Sequence, residues 1–495
     1  MFKTQYFIVI ALLVAIMALG AGCDTQTTAE CDNVISALEK FDALHLDSKA
    51  QFDAALFTAA QRQVLERHSV DIEVSANLDA RKQCLRTFKD AKILLEANDF
   101  ENLAIELIDT YLRFRDPHSH AMSDAELANR TSSYTGYGFA IERINGLNQV
   151  EVVEVIAGTP AHSAGLKKGM TIWMVNGLYL SQKTMKEVAA LIDDSPEGTL
   201  VLGVTGGPTS QTVYRDVSLK QTSFKVPPVK IATFEENRIA YLKLRSFTES
   251  EATFAEGLQT FSSSTVLILD LRDLPGGKVD AALDLADWMT PGKGPFLGLL
   301  ARDMKQLPTL SLKDPNSIWD GPIVVLVNSG TASAAEILAG VLQDYGAIVV
   351  GSTTFGKGTR QTYISLSKFG IAGAAYLTDA FTVRPSGKVV QFNGIKPDVM
   401  LPTFKREAIR ENHDKLALAP PLDQLPLAGY DPSLLPTRSR AFRGRLDTLE
   451  KQLKLAIEAG ELGHSEEDQH LEGAKRVALF LAAQAENEAP LPKRD

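Results

Sequence analysis

The chain begins with a short apolar segment, followed by a long stretch with helical spacing of apolar residues. Residues 6–19 are almost entirely apolar, and from Cys31 to about Leu127 apolar residues recur three and four positions apart. Such spacing places the apolar side chains on one face of a helix. The pattern predicts a helical N-terminal region at residues 23–130, preceded by a separate leader.

From residue 132 the pattern changes to short, glycine-rich strands. They are followed by a helical segment at 184–192, a strand at 199–205 and a diproline linker. This alternation predicts a β domain at residues 131–222.

Buried strands then alternate with helices, which indicates an α/β core at residues 223–404. The segment 307–319 shows no clear periodicity, and we expect it to be irregular. Predicted strands and helices lie at 238–246, 266–272, 279–288, 323–327 and 347–350, and a further helix follows the small residues 331–335 and ends at Leu342. Residues 405–495 form a helical C-terminal extension without candidate chemistry, for which we expect a role in packing or interaction.

Composition excludes one class of partner. The 495 residues include 51 Lys and Arg against 61 Asp and Glu, a net charge of −10, and no basic run occurs. Nucleic-acid binding is therefore not expected.

The N-terminus has the features of an export signal. Lys3 precedes the apolar run, which is short for a membrane span and ends in small residues before Cys23. Residues 1–22 resemble a bacterial lipoprotein signal peptide, with Gly20 where leucine is usual, and Cys23 would be lipidated. The alternative is an uncleaved N-terminal anchor. Both place the protein outside the cytoplasm, and we expect it in the bacterial cell envelope, lipid-anchored on the periplasmic side.

The remaining two of the three cysteines are Cys31 and Cys84. In an exported domain this pair suggests a disulfide. Two buried free thiols are the alternative, because spacing alone does not determine geometry.

The β domain resembles a PDZ domain, on the basis of residues 134–141, the Gly-Thr-Pro-Ala and Ala-Gly-Leu segments within 158–166, and the Val-Asn-Gly at 175–177. PDZ domains add a peptide to a sheet edge and capture its terminal carboxylate with backbone N–H groups. The expected donors are Gly136, Tyr137, Gly138 and Phe139. A small half-open barrel without a peptide role is the alternative.

A candidate nucleophile, Ser333, lies where a buried strand turns into a helix. Free N–H groups and the helix dipole at such a position can stabilise an oxyanion, although an isolated serine there would by default be a helix cap. The core has no cysteine and no histidine between His162 and His413. Lys357, 24 residues after Ser333 and flanked by glycines, remains as the base.

These residues resemble the carboxyl-terminal processing peptidases, also called tail-specific proteases. The resemblance covers about residues 114–401 and does not extend convincingly into the C-terminal extension. The matching segments are 116–119 (Asp-Pro-x-Ser), 270–272 (Asp-Leu-Arg), 275–277 (Pro-Gly-Gly), 330–336, 355–358, Gln361 and 394–398 (Gly-Ile-x-Pro-Asp). The resemblance implies that Ser333 is the nucleophile, that Lys357 is the general base and that Gln361 orients the lysine amine.

It also implies an oxyanion hole made by the backbone N–H of Ala334 together with that of Gly276 or Gly277. The chain departs from the family pattern in two places. Ala335 replaces a usual serine, and the spacing from serine to lysine is one residue shorter.

The sequence thus predicts a multidomain chain of α/β and α+β class, with a helical N-terminal region, a PDZ-like β domain, an α/β serine-protease core and a helical C-terminal extension. We expect a serine endopeptidase that takes polypeptides by their free C-termini, with no cofactor and no metal; His118 and His120 are interpreted as a pair on a surface loop. An adaptor or a homo-oligomer could assist it. The alternative function is a catalytically silent peptide-binding adaptor or holdase.

Overall fold

The computed structural model describes residues 28–46, 52–69, 79–95, 97–128, 133–143, 150–206, 214–236, 238–261, 264–290, 294–313, 317–403, 433, 435–462 and 466–487. The predicted leader and Cys23 lie outside these ranges. Within them, no helix combines the length and the apolar character needed to cross a membrane.

The α-helices of the described residues are α1 (28–44), α2 (Ala54–Arg67), α3 (Ala80–Leu94), α4 (Ala97–Arg115), α5 (Asp124–Ala128), α6 (Pro160–Ser163), α7 (Met185–Asp193), α8 (Glu251–Thr260), α9 (Val279–Asp287), α10 (Ala334–Asp344), α11 (Arg440–Glu458) and α12 (Glu466–Asn487).

The strands are β1 (His120–Met122), β2 (Ser133–Gly136), β3 (Phe139–Arg143), β4 (Val150–Val155), β5 (Thr171–Val175), β6 (Leu178–Tyr179), β7 (Thr199–Thr205), β8 (Arg215–Lys220), β9 (Thr222–Lys225), β10 (Val229–Phe234), β11 (Ile239–Leu244), β12 (Val266–Asp270), β13 (Pro295–Leu300), β14 (Gln306–Ser311), β15 (Ile323–Val327), β16 (Ile348–Gly351), β17 (Thr359–Ser365), β18 (Ala374–Val383) and β19 (Val399–Met400).

The core sheet has the strand order β10-β11-β12-β15-β16-β19, and all its pairings except β10 with β11 are parallel. Every residue of β12 and β15 is buried, as expected for parallel strands covered on both faces. Alternate side chains point to opposite faces. Leu267, Leu269 and Val325 pack with α8, α9 and α10, whereas Ile268, Val324 and Leu326 pack with α11 and α12.

A second sheet joins the N-terminal region to the core. Its order is β1-β18-β13-β14, with β17 also paired to β18. β1 follows the N-terminal helices in the chain and is antiparallel to β18, with His120 opposite Tyr376. The apolar faces of α1 to α4 pack together. They also pack against Leu366, which lies between β17 and β18, and against Leu377 of β18. The N-terminal helices therefore share a core with the second sheet.

The β domain has the strand order β3-β4-β5-β7-β8, with β6 paired to β5. β2 does not belong to this sheet and pairs with β9 in a separate two-stranded ribbon. The predicted boundary between residues 222 and 223 lies inside β9. The ribbon thus connects the start of the β domain to the segment that enters the core.

The predicted α/β and α+β class is confirmed, but two local expectations were wrong. The segment 307–319 is not irregular throughout, because β14 pairs there with β13. β14 lies at a sheet edge and contains Pro308, which cannot donate to a ladder, so its sequence signal is weak. His120 does not lie on a surface loop; it begins β1 and stacks on Tyr376, with ring centroids 5.0 Å apart.

The predicted cysteine pair lies between α1 and α3. Cys31 and Cys84 form a disulfide with their Cα atoms 5.8 Å apart, and both residues are buried in the N-terminal core. The spacing left two alternatives, a disulfide and two buried free thiols, and the structure contains the disulfide.

Candidate active site

Ser333 lies at the turn between β15 and α10. Its backbone has φ 56° and ψ −122°, a sparsely populated conformation for a residue with a side chain. Such a conformation costs on the order of 1–3 kcal/mol and persists only where the surroundings impose it. The surrounding loops must therefore hold this serine in place.

Two loops at the carboxyl end of the core sheet provide that support. The loop after β12 and the loop after β15 lie side by side because β12 and β15 are adjacent parallel strands. The Asn328 side chain accepts the backbone N–H of Asp273 at 3.0 Å and donates to its carboxylate at 2.9 Å. The Thr331 hydroxyl donates to the carbonyl of Leu271 at 2.8 Å. These bonds join the loop with the predicted oxyanion glycines to the loop with Ser333.

The two candidate oxyanion glycines have different neighbours. A Cβ added to Gly276, whose φ is 107°, would lie 2.7 Å from the Cβ of Ser333 and 3.1 Å from the amide nitrogen of Ala334. A Cβ added to Gly277 would instead meet Phe247 at 3.0 Å. The residue that passes directly beside the serine is Gly276, and only glycine leaves room for that approach.

Ala334, the other predicted oxyanion donor, is the first residue of α10. The first N–H groups of a helix have no acceptor within the helix, and the dipole makes this end positive. The N–H of Ala334 therefore belongs to a backbone position suited to a developing negative charge next to Ser333.

Lys357 reaches Ser333 from the segment between β16 and β17. Its Nζ lies 3.4 Å from the Oγ of Ser333, and it donates a second hydrogen bond to Oε1 of Gln361. The 3.4 Å separation is longer than a working proton-transfer contact, as is common in sites without substrate. The shorter spacing between serine and lysine therefore still leaves the amine in contact with the hydroxyl.

Glu336, on the first turn of α10, connects the backbones of both residues. Its buried carboxylate accepts the N–H groups of Ser333 and Lys357, each at 2.9 Å, and that of Gly356 at 2.7 Å. The hydroxyl of Thr354 also donates to it. Burial raises the pKa of Glu336 to about 7, although these hydrogen bonds favour the carboxylate and oppose the shift. A single side chain thus sets the distance between the two backbones.

We did not assign a role to Glu336 from the sequence, although a signal was present. A serine followed three residues later by glutamate at a helix start is a capping-box pattern. The N–H of Ser333 does bond to the Glu336 carboxylate. The pattern would have predicted that contact but not the three contacts with Thr354, Gly356 and Lys357 of the lysine segment.

A buried ion pair underlies the loop that carries Gly276. Arg272 contacts Asp270 through its backbone N–H at 3.0 Å and its guanidinium at 2.6 Å, and Tyr241 donates to the same carboxylate at 2.8 Å. Burial alone would raise the pKa of Asp270, but Arg272 outweighs burial and the pKa is lowered. The Asp-Leu-Arg motif therefore anchors the loop and does not reach the serine through these bonds.

Comparison with known proteins identifies the family of this chain. Residues 238–401 match the model of peptidase family S41. A carboxy-terminal-processing protease of Bartonella bacilliformis is 33% identical over 322 residues, which cover 61% of this chain and 70% of that protein. The chain belongs to the S41 peptidases. It is thus a serine-type peptidase related to the carboxy-terminal-processing proteases, and the resemblance inferred from the sequence is confirmed.

Two other relatives match over shorter shares of their length, and one solved structure matches over most of its chain. The chloroplastic carboxyl-terminal-processing peptidase 3 of Arabidopsis thaliana is 33% identical over 282 residues, 54% of this chain and 53% of the relative. A probable CtpA-like serine protease of Staphylococcus aureus is 28% identical over 321 residues, 63% of this chain and 62% of the relative. A solved photosystem II D1 C-terminal processing protease is 25% identical, with 70% and 92% of the two chains covered and a TM-score of 0.39.

In this S41 peptidase the four predicted carboxylate-loop residues do not form one continuous loop. Gly136 is the last residue of β2, opposite Thr222, and Phe139 is the first residue of β3. Tyr137 is buried, and Gly138 has a positive φ of 85° that brings it against Thr159. Only the two middle residues connect the strands, and the role of the four N–H groups as carboxylate donors stays a prediction.

The outer strand of the β domain faces the peptidase core across a groove. In the described part of the chain, β3 is at the end of its sheet and pairs with β4 alone. A groove of about 400 Å³ is lined by Ala140 and Ile141 of β3 and Met185 of α7, and on its other side by Asp273 and Asn328. The latter two belong to the loops that support Ser333. The groove therefore extends from the free strand edge to the loops after β12 and β15.

An ion-pair cluster holds the β domain against the core at this groove. Glu154 of β4 contacts Lys230 at 2.9 Å and also pairs with Arg245. Burial would raise the pKa of Glu154, but Lys230, Arg245 and Lys243 together outweigh burial and the pKa is lowered. The carboxylate therefore stays charged between the two units.

The cysteine pair and the histidine pair singled out in the sequence both lie in the N-terminal region. Cys31 and Cys84 lie in the core of the N-terminal helices, apart from the serine and lysine. His118 and His120 do not join a metal-binding cluster: within the described ranges, no group of three or more His, Cys, Asp or Glu side chains is arranged to hold a metal ion.

Proposed function

We propose that this protein is a serine endopeptidase in which Ser333 is the nucleophile and Lys357 the general base. We further propose that its PDZ-like domain takes exported or unfolded polypeptides by their C-terminal tails. The observation that carries the catalytic proposal is the contact between Lys357 Nζ and Ser333 Oγ at 3.4 Å, with Gln361 on the same amine.

The reaction follows from this contact. Neutral Lys357 takes the hydroxyl proton as Ser333 Oγ attacks the carbonyl carbon of the scissile peptide bond. The resulting lysine ammonium then gives its proton to the leaving amine, and an acyl-enzyme remains on the serine. Lys357, neutral again, takes a proton from a water molecule that attacks the ester carbonyl. The lysine ammonium then gives this proton to Ser333 Oγ as the ester bond breaks, which releases the second product and restores both side chains.

The tetrahedral intermediates carry a negative oxygen beside the start of α10. The N–H of Ala334 and an N–H of the glycine pair, Gly276 or Gly277, are the donors suited to this oxygen. Gly276 passes directly beside Ser333. Removing one donor of such a pair costs about 3 kcal/mol of transition-state stabilisation in other proteases.

Substrate selection is assigned to the β domain. The free edge of β3 can pair with an extended peptide, and the groove beside it leads towards the loops of Ser333. A tail bound along β3 would place the preceding segment of the same chain near the serine. Lipidation at Cys23 and a periplasmic location complete the proposal, and both rest on the N-terminal sequence alone.

The decisive experiment compares the purified protein with Ser333→Ala and Lys357→Ala, using an unfolded protein as substrate. We expect cleavage by the wild type and at least a 10³-fold loss in each variant, because each removes a group that takes part in the bond-making step. Ser218→Ala and Lys368→Ala, both at exposed positions, are the matched controls and should cleave at the wild-type rate.

An inactive wild type, or a Ser333→Ala protein that cleaves as fast, would refute the catalytic proposal. Binding of the unfolded protein without any cleavage would instead support the adaptor or holdase alternative. The tail proposal has its own test, in which the substrate's C-terminal carboxylate is converted to an amide. We expect slower cleavage of the amide; equal rates would contradict carboxylate recognition.

A further inference from the structure

A chain of side-chain hydrogen bonds leads from the candidate base into the N-terminal region. Lys357 Nζ donates to Oε1 of Gln361, whose Nε2 donates to the hydroxyl of Thr378 at 3.1 Å. That hydroxyl in turn donates to Oδ1 of Asp116 at 3.0 Å. Thr378 and Asp116 are buried, so the chain is shielded from solvent beyond the glutamine.

The direction of every bond in this chain follows from Asp116. Burial would raise the pKa of Asp116, but hydrogen bonds from His45 and Ser119 outweigh burial and lower it to about 2. The ionised carboxylate can only accept, so the Thr378 hydroxyl must donate to it. Its oxygen is then free to accept from the Gln361 amide nitrogen, which also donates to the Thr359 hydroxyl at 3.2 Å. Both bonds direct the glutamine oxygen to Lys357.

Asp116 is itself held from several sides. Its Oδ1 accepts the backbone N–H groups of His118 and Ser119 at 2.8 and 2.9 Å, and its Oδ2 lies 2.8 Å from Nε2 of His45 at the end of α1. The Ser119 hydroxyl also accepts the backbone N–H of Thr378 at 2.9 Å. The turn at 116–119 is therefore joined to β18 at two points.

From this geometry we infer that Asp116 and Thr378 are positioning residues for Lys357, acting through Gln361. The inference rests on the proposed roles of Ser333 and Lys357. When its oxygen faces the lysine, Gln361 accepts one N–H of the neutral amine. The lone pair on Lys357 Nζ is then available to take the proton of Ser333. In the reversed orientation, the glutamine N–H groups would compete with Ser333 for that lone pair.

The hydrogen bonds that link Asp116, Thr378 and Gln361 would have a purely structural role if Thr378 served only as a hydrogen-bond donor to the buried Asp116 carboxylate. The two roles differ in what removal of the hydroxyl does to catalysis. A structural role predicts lower stability with an unchanged pH profile. A positioning role predicts a lower kcat and a displaced profile.

The test compares Thr378→Val, which removes the hydroxyl and keeps the shape, with Thr378→Ser, which keeps the hydroxyl. We expect kcat to fall about 10²-fold in the valine variant, as for other small misplacements of a catalytic group, with KM little changed. The ascending limb of kcat/KM should move to lower pH, because the lysine ammonium loses a well-oriented acceptor. The serine variant should recover most of both properties.

Thr290→Val is the matched control, since Thr290 is also buried and donates to a backbone carbonyl, that of Ala286, at 2.7 Å. It should keep the wild-type kcat and pH profile. A second control tests the route: on a Gln361→Met background, Thr378→Val should cause little further loss, because effects of residues that act through one another are not additive.

Should Thr378→Val not fold, Thr378→Ala replaces it in the same comparison. A folded variant without the hydroxyl that keeps the wild-type kcat and pH profile would overturn the inference, and so would full additivity with Gln361→Met. These outcomes can be distinguished from failure of the proposed function. If the proposed function were wrong, the wild type would be inactive or Ser333→Ala would cleave.

Discussion

The helical regions at the two ends of the chain both pack on the peptidase core, but they do so in different ways. The N-terminal helices pack on the second sheet and bring Asp116 next to Thr378, three hydrogen bonds from Lys357. The C-terminal helices α11 and α12 cover one face of the core sheet with apolar side chains. Both regions have the same type of apolar periodicity. Their contribution to the site depends on which sheet each one contacts.

The comparison suggests that changes in the N-terminal region should alter both stability and catalysis, whereas changes in the apolar side chains of α11 and α12 that cover the core sheet should alter stability alone. Each of the following experiments can contradict that division.

The largest effect is expected for the disulfide. Replacing Cys31 and Cys84 together with alanine opens a covalent loop with a sequence separation of 53, which should cost about 4 kcal/mol of stability by chain-entropy arguments. Because α1 leads directly to His45, kcat should fall as well. Denaturant unfolding and kinetics on the same samples measure both. An unchanged kcat in the folded variant would show that α1 does not help to hold Asp116.

The second effect concerns the C-terminal helices. Leu453 of α11 is fully buried, and Leu453→Ala should destabilise the protein by about 3 kcal/mol, a typical cost of such a cavity. Leu455→Ala is the control on the same helix, because Leu455 is 66% exposed. We expect the Leu453 variant to keep the wild-type kcat below its unfolding temperature. A selective loss of kcat would remove the distinction between the two regions.

The third effect is a pH dependence in the N-terminal region. The pKa of Asp116 is lowered to about 2 from an ordinary value of 3.8, so its carboxylate stabilises the fold above pH 4. This contribution, about 2 kcal/mol, should be lost as the pH falls from 4 to 2. Unfolding temperatures over this range, compared with those of Asp116→Asn, isolate it. Parallel curves for the two proteins would contradict the assignment.

The smallest effect is expected where the C-terminal region meets the β domain. Lys168 and Asp468 form an ion pair at 2.5 Å with side chains 49% and 28% exposed. Exposed pairs contribute at most about 1 kcal/mol and weaken with salt. Asp468→Asn should therefore change the unfolding temperature slightly at low salt and not at high salt, with Asp447→Asn as an exposed control on α11. A large change in kcat would indicate that α12 controls the β domain.

Much of the candidate site could be inferred from the sequence because its parts lie in short motifs. The absence of histidine and cysteine from the core left lysine as the type of base for Ser333, and the flanking glycines and the family resemblance singled out Lys357. The structure brings the two residues together. Glu336 carried a capping-box signal that would have revealed part of its role. Thr378 carried none, since a threonine in a strand is an ordinary β residue.

The long-range contacts were not predictable for a physical reason. Asp116 and Thr378 are separated by 262 residues, and no local pattern states that β1 joins β18 and not another strand. The edge strand β14 was missed because Pro308 and half-exposed side chains leave little periodicity. The interior strands β12 and β15 were recognised because every residue in them is buried.

The position of α11 and α12 also has a consequence for the order in which the chain is synthesised. The apolar face formed by Ile268, Val324 and Leu326 is covered by helices that follow it by more than a hundred residues. Until residues 440–487 emerge from the ribosome, this face remains exposed to solvent, and exposed apolar sheet faces favour aggregation. The serine, the lysine and the N-terminal region are all complete in the chain before that. A nascent protein therefore contains all the residues proposed for catalysis while one face of its central sheet is still uncovered.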